Sequence, residues 1–220
     1  RVEEDGEVRF YGRGTSDMKG GDAVILATLK QMIEDGKCID DIAVFFSCEE
    51  EKGTKGCMEV IESHREYFES VKTFIVLEPS SLFIGSSQNG HFWVEYTCKG
   101  KAAHGCEPFN GINAIEGMTD LNYVLKDGIL ASDMCNDITM NIGTIHGGDQ
   151  VNMVPADCVE CIDYRVSPNV FEVDFIDFNN KVIEQMNEIS SAQYSYRIMS
   201  QMSAFRSRPD NELLVKLHNY

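Results

Sequence analysis

Three acidic positions carry most of the chemistry that this sequence offers. The first is Asp17, within Gly12-Arg13-Gly14-Thr15-Ser16-Asp17-Met18-Lys19-Gly20-Gly21. The glycines let the backbone turn tightly, and Asp17 stands just before a predicted helix, where Asp is a favoured N-cap. A phosphate loop is the rival reading. It fails because G-x-x-x-x-G-K-[ST] is absent and Lys19 precedes its glycines. The second is Glu49-Glu50-Glu51, at the carboxyl end of the apolar run IAVFFS. Adjacent carboxylates repel one another unless a cation offsets them. Neighbours on extended backbone point opposite ways, so Glu50 and Glu51 suit different tasks, one holding a metal and one facing a substrate as base. The plainer reading is a solvated acidic turn. The third is Glu78, followed by Pro79, directly after the run TFIVL.

Ligands of open α/β sheets sit beyond the carboxyl ends of the strands. Asp17, Glu51 and Glu78 could therefore converge there. Hard oxygen donors of this kind admit Zn²⁺, Mn²⁺ or Co²⁺. Two cations roughly 3.5–4 Å apart need a bridging carboxylate, and together polarise a carbonyl and activate water.

The elements that must position these residues fall into two rhythms. In the first half, Lys19 to Glu34 has apolar residues at near-helical spacing, with Gly36 as a stop. Ile42 to Ser47 and Thr73 to Leu77 are continuously apolar, as strands buried on both faces are. Gly56 to Phe68 reads as a helix between them. This order predicts a parallel sheet with right-handed crossovers. In the second half, His91 to Cys98 alternates as a strand, and Asn113 to Leu125 is helical. Ile138 to Ile145 and Val154 to Val166 read as paired strands, Phe171 to Ile189 as a helix and Gln193 to Met199 as a last strand. The order β-α-β-β-α-β is the split arrangement of a ferredoxin-like domain. A further helix is expected after Pro209.

Composition limits the functional classes. The chain has 220 residues, with 19 Lys and Arg against 36 Asp and Glu, a net charge of −17. A phosphate backbone repels such a chain, so nucleic acid is a poor partner. With 43% apolar residues a sizeable core can form, which argues against disorder. No apolar run approaches the ~20 residues of a membrane-spanning helix. Eight cysteines at irregular spacing are too few for a disulfide scaffold. Cys158 and Cys161 form C-x-x-C, but on a strand positions three apart face opposite sides. A reducing cytoplasm with mostly buried thiols is the expectation.

At this point a set of motifs carries a resemblance. GRGTSDMKGG, EEEKG and the EPS at Glu78 are followed by GKAAHG at Gly100, GINAIEGM at Gly111, GGDQVNMVP at Gly147 and then DYRVSP. In this order they resemble the metallopeptidase M20 family, which includes acetylornithine deacetylase, succinyl-diaminopimelate desuccinylase, aminoacylase and carboxypeptidases. The resemblance implies an α/β fold: part of a phosphorylase/hydrolase-like zinc-peptidase catalytic domain with an inserted ferredoxin-like α+β lid and dimerisation domain. Residues 1–86 and 205–220 would be catalytic domain and 87–202 lid. It implies that Asp17 bridges two divalent metal ions, zinc first, with cobalt or manganese as alternatives. Glu51 and Glu78 would each ligate one metal, and Glu50 would be the general base for metal-activated water. His104, Asn152 and Arg165 would bind the substrate or stabilise its oxyanion. Taken singly, His104 could instead cap a turn, Asn152 hold a strand start and Arg165 pair with Asp163. His64, His91, His146 and His218 are assigned no role.

The implied reaction is removal of an acyl group from an N-acyl amino acid, or cleavage of a small peptide, by a cytoplasmic homodimer joined through the lid. The serious departure from the family is two missing features; a smaller one is Glu49, where the family usually carries Asp. The H-x-D motif and a final His ligand, one imidazole for each metal, are absent from the 220 residues. The chain therefore reads as an internal fragment, expected to be inactive alone. The alternative is a non-catalytic dimerisation or ligand-binding module with a vestigial metal site.

Overall fold

The computed structural model describes residues 1–50 and 54–217, so Glu51 and His218 lie outside the described residues. The chain divides into two compact units, Arg1–Gly85 and Ser86–Tyr220. The described part of the stretch 205–220, residues 205–217, groups with the second.

The first unit opens with a hairpin, β1 (Val2–Glu4) and β2 (Glu7–Arg9), antiparallel with Glu4 opposite Glu7. Asp5 and Gly6 form its two-residue loop, with φ of 54° and 79°. Asp-Gly suits such a turn because both positions need positive φ. Helix α1 (Lys19–Glu34) has the expected limits. It stops at Gly36 (φ 68°), where the Gly36 and Lys37 N–H groups donate back to the Ile33 and Met32 carbonyls. Its N-cap is Met18, with no side-chain bond, so Asp17 is not the cap. The single helix expected over 56–68 is two, α2 (Lys55–Ser63) and α3 (Arg65–Ser70). The break is His64, whose φ of −128° is not helical.

The parallel sheet expected here is not formed among the described residues. The runs 42–47 and 73–77 join no ladder. Helices do lie against them. A Cβ on Gly21 of α1 would meet the Leu77 carbonyl oxygen at 2.4 Å, and one on Gly56 of α2 would meet that of Cys48 at 2.7 Å. Phe68 of α3 stacks on Phe74 with ring centres 6.3 Å apart, and meets Phe45 edge-on at 5.9 Å. Each run thus has helical cover, but no described strand runs alongside. Phe46 remains 51% exposed and Ile75 66%. A continuous apolar run reports a need for burial on two faces; it cannot show that the second partner is present.

The second unit meets its expectation in element order, except that the strand expected over 154–166 is broken at Pro155 and Ala156. Strands β4 (Gly90–Lys99), β6 (Ile138–Gly147), β8 (Asp157–Val166) and β9 (Gln193–Met202) form an antiparallel sheet in the order β6-β8-β4-β9. With α4 (Ala114–Ala131) and α5 (Glu172–Ile189) this is the split β-α-β-β-α-β topology. Three short pieces flank it. They are β3 (Ser87–Gln88) paired with β10 (Phe205–Arg206), β5 (Ala103–His104) paired with β7 (Met153–Val154), and α6 (Glu212–Leu217). Alternation buries Phe92, Val94, Tyr96 and Cys98 on one face of β4. Against them pack Met118, Leu121 and Leu125 of α4 and Phe175, Val182 and Met186 of α5. The side chain of Asn113 starts α4, its Oδ1 accepting from the N–H groups of Ile115 at 3.0 Å and Glu116 at 3.2 Å. Asn113→Ala is expected to cost about 1 kcal/mol, read as a lower urea midpoint. An unchanged midpoint would mean that the cap is made up by other groups.

Only Cys98 and Cys158 are buried among the eight free thiols, so the expectation of mostly buried thiols fails. Five of the eight thiols sit in loops or on a helix and three in the sheet.

A polar stripe runs through this core. Tyr96 donates to Asn179 Oδ1, so Tyr164, 3.0 Å away, must donate to the Tyr96 oxygen. Glu160 is fully buried; its Oε2 accepts from Asn122 Nδ2 at 2.8 Å, while Glu160 Oε1 and Asn122 Oδ1 have no partner. Burial raises the Glu160 carboxyl pKa, opposed by the Asn122 bond and by Lys126. Cys158, Tyr96 and Tyr164 also face it, and its charge pushes each of their pKa values up. The sign follows by linkage. A raised folded-state value contributes stability that is fully present below the unfolded value near ~4.3 and is lost as pH rises through the folded value. Glu160→Gln, which keeps the shape and removes the charge, is expected to raise the urea midpoint at pH 7.5 and leave it nearly unchanged at pH 4. Equal effects at both pH values would contradict a protonatable core acid.

Candidate active site

In the first unit the loop before α1 is shaped by Gly12 and Gly14, both at positive φ. Thr15 Oγ1 donates to the Gly12 carbonyl at 2.9 Å, and the Lys19 N–H to that of Gly14 at 2.8 Å. These bonds hold the turn and leave the Asp17 carboxylate exposed. The close approach of Gly21 to Leu77 then sets the loop carrying Asp17 beside the segment that ends in Glu78. Glu50 lies on the other run. Its carbonyl accepts from the Thr54 N–H at 3.0 Å, which begins the turn into α2. Both acidic loops contain non-glycine residues at positive φ: Glu49 (58°) and Thr54 (57°) around Glu50, Ser81 (54°) and Leu82 (68°) after Glu78. Such residues cost on the order of 1–3 kcal/mol each and persist where surroundings or function hold them.

The donors here suit a divalent cation in kind, being carboxylate oxygens. They do not suit it in number. Among the described residues no three His, Cys, Asp or Glu side chains are grouped to hold a metal ion. Glu51, the second expected ligand, lies outside the described residues.

In the second unit His104 and Asn152 are brought together. His104 pairs with Met153 across β5 and β7, and the Gly105 N–H donates to the Asn152 carbonyl at 2.7 Å. A Cβ on Gly105 would meet that oxygen at 2.9 Å, so glycine permits the approach. The Cys106 N–H donates to His104 Nδ1 at 3.3 Å, and Cys106 Sγ lies 3.1 Å from the same nitrogen. Nδ1 is thereby an acceptor, which leaves the proton of the neutral ring on Nε2. His104 thus closes a local turn and also presents an exposed N–H donor, so the two readings of this residue are compatible.

Arg165 is elsewhere. It sits opposite His91 near one end of β8, whereas the β5/β7 pair lies beyond the other end, past Asp157 and Lys99. Eight residues of strand at ~3.3 Å each separate those ends by on the order of 25 Å. Arg165 does pair with Asp163, through Nε at 3.1 Å and Nη2 at 2.9 Å to the same Oδ2. Trp93 Nε1 donates to the other oxygen, Asp163 Oδ1, at 3.1 Å. His91, given no role from sequence, stands beside them. It is buried, with Nε2 3.2 Å from Ser200 Oγ and its ring centre 5.1 Å from that of Trp93. Burial and the nearby Arg165 charge push its pKa down, against Asp163, which pushes it up. The available signal was alternation: His91, Trp93, Asp163 and Arg165 all fall on the sheet face away from the core.

The family model described as Peptidase family M20/M25/M40 matches residues 1–217. Carboxypeptidase G2 of Pseudomonas sp. (strain RS-16) is 35% identical over 176 residues, covering 77% of this chain and 40% of that protein. An acetylornithine deacetylase of Photorhabdus laumondii is 29% identical over 193 residues, covering 82% and 48%. The chain thus spans half or less of the length of these relatives. Among solved structures, a tripeptidase of Staphylococcus aureus aligns with TM-score 0.50 at 18% identity, covering 61% of this chain and 35% of that one. A hydantoinase/carbamoylase family amidase of Burkholderia ambifaria aligns with TM-score 0.51 at 13% identity, covering 61% and 33%. These two likenesses speak to the fold alone. With a family model spanning nearly every residue, the chain belongs to peptidase family M20/M25/M40.

Proposed function

We propose that this chain is part of a metal-dependent amide hydrolase that releases the amine from an N-acyl amino acid or a small peptide. Family membership over residues 1–217 carries the reading, and the acidic loops of the first unit support it. In this reading Glu50 takes a proton from the attacking water and delivers it to the departing amine nitrogen as the C–N bond breaks. His104 Nε2–H donates to the developing oxyanion, with Asn152 beside it, and Arg165 receives a substrate carboxylate. Asp17, Glu51 and Glu78 supply part of a donor set for two divalent cations, zinc first and cobalt or manganese as alternatives. Residues 1–86 and 205–220 are proposed as catalytic domain and 87–202 as lid.

The distance between His104 and Arg165 supports a homodimer. One amino-acid-sized ligand cannot span on the order of 25 Å of strand, so His104 of one copy would serve a site that holds Arg165 of the other. A second reading, a non-catalytic dimerisation or ligand-binding module, draws support from the complete core of the second unit. Among the described residues no helix is long and apolar enough to cross a membrane. Amine release from N-acetylornithine, N-succinyl-diaminopimelate and several dipeptides, assayed with the whole protein that carries this sequence, separates the two readings. Turnover of one class supports the hydrolase and names the acyl group. Binding of these compounds without turnover supports the module.

A further inference from the structure

We propose that Trp93 and Asp163 are positioning residues that hold Arg165 as an end-on fork for a carboxylate-bearing ligand; this rests on the substrate-binding reading of Arg165. An exposed arginine on a strand has about 2 kcal/mol of rotamer freedom to lose on meeting an anion. Here part of that freedom is already taken up. Nε–H and one Nη2–H of Arg165 are fixed on Asp163 Oδ2. Asp163 is fixed in turn from the neighbouring strand, because its second oxygen accepts the only N–H of the Trp93 indole.

A guanidinium has five N–H groups. Two are committed to Asp163, which leaves both on Nη1 and one on Nη2. The free Nη2–H and one Nη1–H lie side by side in the plane, the geometry that two carboxylate oxygens match. The Asp163 charge also acts on any incoming anion. It offsets part of the arginine's charge and so favours ligands that satisfy the fork geometrically. The arrangement therefore predicts discrimination between a carboxylate and its neutral amide.

The chain contains a single tryptophan, Trp93, so its indole N–H resonance reports directly on this site. The test is titration of the ¹⁵N-labelled 220-residue chain with N-acetylglycine and, separately, N-acetylglycinamide. The expected result is a saturable shift of the indole resonance with the acid and none with the amide. Asp163→Asn and Trp93→Phe, the latter followed by calorimetry, are expected to weaken N-acetylglycine binding roughly tenfold each, while Asp163→Glu restores most of it. If both variants bind as the wild type does and Arg165→Gln does not, Arg165 needs no positioning and the inference fails alone. If Arg165→Gln also binds as the wild type, or the wild type shows no shift, the substrate-binding reading of Arg165 fails with it.

Discussion

Glu50→Gln in the whole protein is expected to lower kcat for amine release by about 10²–10⁴, with KM little changed. Gln keeps the size and polarity of the side chain and removes its ability to accept a proton. A group that acts only in the transition state affects kcat and kcat/KM equally. Glu50 is exposed, and its carbonyl rather than its carboxylate holds the turn into α2. The substitution should therefore leave stability within about 0.5 kcal/mol, so a loss of rate reads as chemistry rather than unfolding. Initial rates with one hydrolysed substrate are the measurement. The solvated-turn reading of Glu49-Glu50-Glu51 expects an unchanged rate, and that result would remove Glu50 from the mechanism.

Phe175→Ala is expected to destabilise the second unit by about 3–5 kcal/mol. Phe175 is fully buried on the inner face of α5, stacked on Phe92 with ring centres 4.3 Å apart and edge-on to Tyr164 at 5.0 Å. Removing it leaves a cavity between sheet and helix that rigid neighbours cannot fill. It also loosens the turn whose Phe175 carbonyl accepts from Asn179 Nδ2 at 2.8 Å, one end of the Tyr96–Tyr164–Asn179 network. A total stability of about 5–15 kcal/mol makes this a large fraction. Urea unfolding followed by Trp93 fluorescence gives the number. Val173→Ala, on the same helix but 68% exposed, is the control and should stay within about 0.5 kcal/mol. A loss below about 1 kcal/mol for Phe175→Ala would place the core elsewhere.

The second unit was legible because its signals are local. Alternation marks β4, the apolar stripe of α4 repeats every three or four residues, and Asn113 announces the helix start. The first unit was legible in its helices and not in its sheet. Lys19–Glu34 carries its own limits, down to Gly36, whereas the ladder expected for 42–47 and 73–77 depends on neighbours those runs cannot specify. The break at His64 was missed because nothing in the residue type forbids a helix there. The acidic residues were legible as candidates, and Asp17 and Glu78 do come to adjoining segments. Their assembly into a metal site was not legible, and among the described residues no such group is formed. Trp93 and His91 escaped notice for a similar reason. Their contacts are with Asp163, Arg165 and Ser200, which register alone brings alongside. Glu160 looked like any alternate strand position, and only the packing of α4 shows that it is buried.

The most direct test of the central claim is amine release by the whole protein that carries this sequence, before and after removal of divalent cations with a chelator, and again after zinc, cobalt or manganese is returned. Hydrolysis that disappears with the chelator, returns with metal and is absent throughout in Glu50→Gln is the predicted result. Hydrolysis that persists at full rate without divalent cations, or binding of N-acyl amino acids with no release of amine under any metal, would contradict it.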